Sequence, residues 1–219
     1  MDDLIALRAL GALITYPKPE LIAALPEISA VLASSRLLPR TERERLDALI
    51  AEMCAADPIE LEGRYVELFD RGRTTSLHLF EHVHGESRDR GMAMVELNQI
   101  YANAGYRLAT NELPDYLPVV LEYLSCRSLA EARAMLSDCA HVLRTVGNAL
   151  VQRGSSYAAV FGALLTVAQE SGLDGTKASE PARETLDEDW AEAPAFAPAD
   201  AGQAAQVSPI RFMSRKPQP

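Results

Sequence analysis

Nowhere in this sequence do about 18 apolar residues follow one another, the length a membrane-spanning helix needs. Direct membrane insertion is therefore not expected. The N-terminus, Met1-Asp2-Asp3, carries acids where a signal peptide needs a positive n-region, so the chain is expected to be cytoplasmic. Cysteine is scarce. Cys54, Cys126 and Cys139 are an odd set without a CxxC pair, and they sit inside apolar helical patterns, as buried structural thiols of a reducing compartment do. Basic charge is outweighed, with 21 Lys and Arg against 31 Asp and Glu and a net charge of -10. A nucleic-acid partner, which needs a concentrated basic surface, is not expected, whereas a basic peptide would be a good electrostatic match. The aromatic and β-branched runs that favour strands are sparse, and the phosphate-cradling GxxxxGK, the dinucleotide GxGxxG and the GxSxG elbow are all missing.

What is present is helical periodicity. Apolar residues recur at three- and four-residue intervals from Asp2 to Tyr16, before Pro17 and Pro19. A second helix is expected from Pro19 to about Ser35, kinked or broken at Pro26. Thr41 with Glu44 has the spacing of a capping box for a third, which Asp57-Pro58 ends; the same Asp57 opens a fourth through Leu61, Tyr65, Leu68 and Phe69.

Residues 70–75 read as a loop, 76–83 as a short helical piece, and a longer helix runs from about Ser87 to Asn103, with Gly105 beyond its end. Leu113 to Cys126 follows, then a single long helix from the Ser128/Glu131 capping box to Leu150, and a last one from Ser155 or Ser156 to Ala168, stopping at Gly172. Short connections between such helices predict one compact all-α bundle over residues 1–172. Residues 173–219 turn to Ala, Pro and acids with little periodicity, and are expected to be a largely disordered tail in which Trp190, Phe196 and the 207–213 piece could dock on the body or on a partner.

The most chemical stretch is 78–86, which holds His78, His82 and His84. With Glu81 it spells HxxEH, the motif of inverted zinc peptidases, in which two histidines four apart on one helix face bind zinc and the carboxylate activates water. The peptidases that carry it are far larger and mix sheets with helices, so the stretch reads as a polar helix end or groove wall, with no metal and no catalytic residue assigned. The alternating charges of 86–90 read as a solvated first turn.

The residues from Tyr65 to Arg73, YVELFDRGR, and from Ser76 to Gly91, SLHLFEHVHGESRDRG, closely resemble the signature region of the NarJ family. These are the molybdenum cofactor assembly chaperones, or delta subunits, of membrane-bound nitrate reductase, within the wider TorD-like group. Residues 113–124, LPDYLPVVLEYL, resemble a second family segment, usually Pro-Asp-His with a Glu further on; here Tyr116 replaces that histidine.

The resemblance covers about residues 2–172. It implies a non-enzymatic all-α chaperone that binds the N-terminal peptide of the apo catalytic (alpha) subunit, prevents premature membrane docking and licenses insertion of molybdopterin guanine dinucleotide. That cofactor is delivered to the client and not held permanently, and molybdenum cofactor biosynthesis proteins are expected as further partners. The expected client site has Tyr65, Phe69, Phe80 and Tyr116 lining or supporting a groove, with Glu81, Asp115 and Glu122 at its rim. His78, His82 and His84 would make affinity depend on pH between about 5 and 7.

Overall fold

The computed structural model describes residues 2–85, 87–109 and 112–174. All of the described residues fall within one compact unit. The expected tail lies, from residue 175 on, outside them.

The described residues form ten α-helices and no strand. They are α1 (Ile5–Leu13), entered through a 3-10 turn at Asp2–Leu4, α2 (Pro19–Ser34), α3 (Arg40–Ala55), α4 (Pro58–Tyr65), α5 (Leu79–His84), α6 (Arg88–Asn103), α7 (Leu117–Ser125), α8 (Leu129–Asp138), α9 (Ala140–Gln152) and α10 (Ala158–Ala168). The all-α fold expected from the periodicity is the one observed. No helix among the described residues is long and apolar enough to cross a membrane.

The bundle is built round α10. From Val160 to Leu165 every residue is buried, as are Val167 and Ala168, so this helix is apolar on all sides and can sit only at the centre. Helices α3, α8 and α9 pack on it, and α1 packs chiefly on α7. Among the described residues Phe161 is the largest fully buried side chain; burying a ring of that kind is worth roughly 1.5–3 kcal/mol. Gly147 lets α9 approach this centre, because a Cβ there would stand 2.9 Å from Cβ of Phe161. Leu173, assigned to the tail by composition, packs against the same place, and Asp174 is hydrogen-bonded to Asn148.

Several boundaries differ from those read in the sequence, each for a local reason. Pro26 lies on the exposed side of an unbroken α2. The capping box expected at Thr41 does not form: the N-cap is Pro39, and Glu44 instead accepts from Arg40 at 2.7 Å. Asp57 and Ser128 do cap, the latter in a full capping box with Glu131. The long helix expected from Ser128 to Leu150 is two helices, parted at Cys139 (φ -101°, ψ 10°), whose thiol donates to the carbonyls of Met135 and Leu136. A straight helix of that length would reach about 34 Å, twice the length of α10, so the break is what lets both halves pack on it.

Two further ends differ. The last helix begins at Ala158 and is closed by Gln169 in the left-handed region (φ 62°), not at Gly172. The expected helix from Leu113 starts only at Leu117, where Pro118 falls in the first turn and costs no hydrogen bond. The three thiols are also not uniformly buried: Cys54 and Cys126 are exposed, and only Cys139 is partly covered.

Candidate functional site

After Tyr65, helix α4 runs on into a π-helical turn over Val66–Asp70, closed by Arg71 N–H on the carbonyl of Val66. Such an extra residue in a turn is common at functional sites. The chain then tightens at Gly72, and a 3-10 turn at Arg73–Thr75 hands over to an extended piece, Ser76–His78. Glycine is needed at 72, since a Cβ would stand 2.7 Å from Oγ1 of Thr75 and 3.2 Å from the Leu68 carbonyl.

The extended piece meets the segment before α7 in an antiparallel bridge, His78 opposite Tyr116. Leu117 N–H donates to the Leu77 carbonyl at 2.8 Å, and Leu79 N–H to the Asp115 carbonyl at 3.1 Å. The Asp115 side chain completes the joint. Its Oδ2 accepts from Phe80 N–H at 3.0 Å and its Oδ1 lies 3.3 Å from His78 Nδ1. Tyr101 of α6 holds the same segment from its other end by donating to the Pro114 carbonyl at 2.8 Å.

A cleft of about 580 Å³ opens beside this joint. Tyr16, Tyr65, Phe69, Leu77, His78 and Tyr116 line it with rings and an aliphatic chain, and Asp70, Arg73, Glu81, Arg90 and Glu112 give it charges of both signs. The rings are linked: Tyr16 to Tyr65 edge-on at 5.5 Å, Tyr65 to Phe69 at 4.9 Å, His78 to Tyr116 at 5.3 Å.

Tyr65 O–H donates to the Ile14 carbonyl at 3.1 Å, which leaves Tyr116 O–H to donate to the Tyr65 oxygen at 3.3 Å. Burial pushes both phenols above their ordinary value, so both stay neutral donors. The His78 imidazole is shifted upward by its hydrogen bond to Asp115, with the charges of Asp115 and Glu81 adding to it; desolvation and Arg90 oppose.

Of the residues expected to form the client site, Tyr65, Phe69, His78, Glu81 and Tyr116 line this one cleft. Four do not. Phe80 is buried, with its ring 5.8 Å from that of His84. His82 donates through Nε2 to the Ser76 carbonyl at 2.9 Å and so supports the cleft wall without lining it. Asp115 is 0% exposed, a buried cap and not a rim acid. It precedes α7, so it shares no helix face with Glu122, which is exposed and pairs with Arg8 at 3.5 Å.

The HxxEH reading fails on the same geometry. His78 is the residue before α5 and His82 lies within it, so the two do not project from one helix face, and each ring is turned to a different partner. Glu81 is held by Ser76 Oγ–H and by Arg90 at 3.1 Å. Among the described residues no group of three or more His, Cys, Asp or Glu is placed to hold a metal ion.

The sequence reading missed Tyr16, Leu77, Asp70 and Arg90. Nothing in the helical pattern marks Tyr16, which follows the end of α1. Arg90 carried only the signal of an alternating-charge turn, yet it reaches back nine positions to Glu81.

Comparison with known proteins agrees with the signature. A sequence model described as nitrate reductase delta subunit matches residues 36–163. The nitrate reductase molybdenum cofactor assembly chaperone NarJ of Escherichia coli K12 is 40% identical over 190 residues, 87% of this chain and 80% of that protein. The probable assembly chaperone NarW of the same strain is 36% identical over 217 residues, covering 96% and 91%. The probable NarJ of Bacillus subtilis 168 is 30% identical over 172 residues, covering 78% and 92%. With that much of each protein aligned and a family match spanning more than half of the chain, this protein belongs to the nitrate reductase delta subunit family, among the NarJ-like molybdenum cofactor assembly chaperones.

Proposed function

We propose that the chain is a cytoplasmic, non-enzymatic chaperone dedicated to nitrate reductase. It binds the N-terminal region of the apo catalytic subunit through the cleft beside the His78–Tyr116 bridge. Holding that region keeps the client from the membrane until molybdopterin guanine dinucleotide has been inserted. The cofactor passes to the client, supplied with the help of its biosynthesis proteins, and is not retained by the chaperone.

The observation that carries this reading is the union of both signature segments in one aromatic cleft. A volume of about 580 Å³ suits a few anchoring side chains of a peptide helix. Tyr65, Phe69 and Tyr116 are rigid rings already held by one another or by the backbone, so little ordering is needed when an apolar anchor seats against them. Anchors of this type are worth about 2 kcal/mol or more when fully desolvated. The net charge of -10 favours encounter with a basic peptide.

The test is calorimetric titration of a synthetic peptide spanning the client's N-terminal segment into the full chain. Micromolar or tighter binding that weakens at least tenfold in Tyr116→Ala, with that variant still folded, is the expected result. Absence of binding, or binding indifferent to Tyr116→Ala and Phe69→Ala, would remove the cleft from the mechanism. In cells grown without molybdenum the apo catalytic subunit should co-purify with the chaperone.

A further inference from the structure

Glu81 stands in the cleft with its two oxygens in different roles. Oε2 accepts from Ser76 Oγ–H, and Ser76 is itself buried, so this bond fixes the carboxylate in one orientation. Oε1 takes Arg90 at 3.1 Å. Arg90 reaches it through a single guanidinium nitrogen, Nη2, and not in the bidentate fork that makes arginine–carboxylate pairs strong. Both side chains keep partial contact with solvent, 23% for Arg90 and 36% for Glu81. Such a pair is readily exchanged for another of the same charge.

The backbone behind Arg90 is also lightly held. Of the ten residues from Ser87 to Glu96 none is buried; the first buried side chain of α6 is Leu97, followed by Tyr101. Gly85, at the end of α5, has φ 54° and nothing within 4 Å of where its Cβ would be. Only the first turn of α6, ahead of Ala93 and Met94 which pack against the core, can thus move with small loss of packing, while the second half stays fixed by Tyr101 on Pro114.

From this geometry we infer that Glu81 is the residue that reads a cationic side chain of the client, and that Arg90 is an internal occupant of that position which the client displaces. The inference rests on the reading of the cleft as the client site. Exchange conserves charge at Glu81, so no carboxylate is left unpaired while the peptide enters. It also selects: a peptide without a suitably placed Lys or Arg would gain its apolar contacts but could not replace Arg90. Withdrawing Arg90 leaves Asp70, Glu81 and Glu112 in the cleft with Arg73, a lining suited to a basic helix face.

The experiment is titration of two peptides into the full chain, the client's N-terminal segment and a copy with each Lys and Arg replaced by norleucine. The proteins are wild type, Arg90→Gln, Glu81→Gln and the double variant, each checked for helicity and thermal unfolding. Removing the competitor should tighten the native peptide roughly 3- to 10-fold in Arg90→Gln, and Glu81→Gln should weaken it about 10-fold. In the double variant the gain should vanish, leaving the affinity of Glu81→Gln alone. The norleucine copy should not respond to Glu81→Gln. If the native peptide binds wild type but Arg90→Gln weakens it or leaves it unchanged, the competitor role is overturned while the cleft reading stands. If the native peptide does not bind wild type at all, both fall together.

Discussion

Asp115 Oδ1 lies 3.3 Å from His78 Nδ1, and the carboxyl group to which that oxygen belongs has no exposed surface. The pair joins two segments 37 positions apart in the chain, and the cleft exists because they are joined. Asp115 is thus a positioning residue, with no surface through which to touch a client.

Replacing Asp115 by Ala removes the acceptor of Phe80 N–H and of His78 together and leaves the Phe80 amide without its partner. The expected loss of unfolding free energy is about 2–4 kcal/mol, with Asp115→Asn, which keeps one carbonyl oxygen, near the low end. Urea denaturation monitored by circular dichroism measures both. A loss below about 0.5 kcal/mol for the Ala variant would show that the joint is held mainly by its backbone bridge.

His78 makes stability depend on pH in a definite direction. Its imidazole value is raised in the folded chain, chiefly by the hydrogen bond to Asp115, so the folded state binds the proton more tightly than the unfolded one. The stabilisation is fully present below the ordinary value of 6.5 and is lost as pH rises through the higher folded value. The urea midpoint should therefore fall from pH 6 towards pH 8 in the wild type, and His78→Gln should remove that part of the slope. An unchanged slope in His78→Gln would assign the titration to another group.

Gly72→Ala should disturb the cleft wall more than it disturbs the core. The new methyl would meet Thr75 Oγ1 at 2.7 Å and the Arg153 guanidinium at 3.0 Å. A flexible Arg153 can withdraw, but Thr75 is buried and bonded to the Leu68 carbonyl. A stability loss of about 1–3 kcal/mol is expected, together with weaker client binding. Wild-type values for both would mean that the 3-10 turn relaxes freely.

The thiols should divide into two classes. Cys54 and Cys126 are exposed, whereas burial pushes the Cys139 thiol up to about 12, with Asp138 beside it acting in the same direction. Since the thiolate is the nucleophile, a thiol reagent at pH 8 should label two groups quickly and the third, partly covered and with its thiol pushed up, much more slowly. Three equal rates would contradict the packing of Cys139 at the α8–α9 break.

The sequence was most informative where structure is local. Apolar spacing found the helices, Asp57 and Ser128 announced their caps, and Gly105 marked the end of α6, because each depends on residues within about one turn of each other. It misled where a distant element intervened. The continuous pattern from Ser128 to Leu150 gives no sign that both halves must lie on the same short α10, and the HxxEH spacing assumes a helix that begins only after His78.

For the candidate site the division follows the same line. The signature residues themselves determined the family and named five of the cleft's residues, Tyr65, Phe69, His78, Glu81 and Tyr116. Tertiary structure alone decided that Asp115 turns inward as a cap, that Glu122 faces away to Arg8, and that Tyr16 and Arg90 enter the cleft. A residue type fixes what chemistry a side chain can perform, but which way it faces depends on partners brought together by folding, tens of positions apart, and no spacing within one helix encodes that.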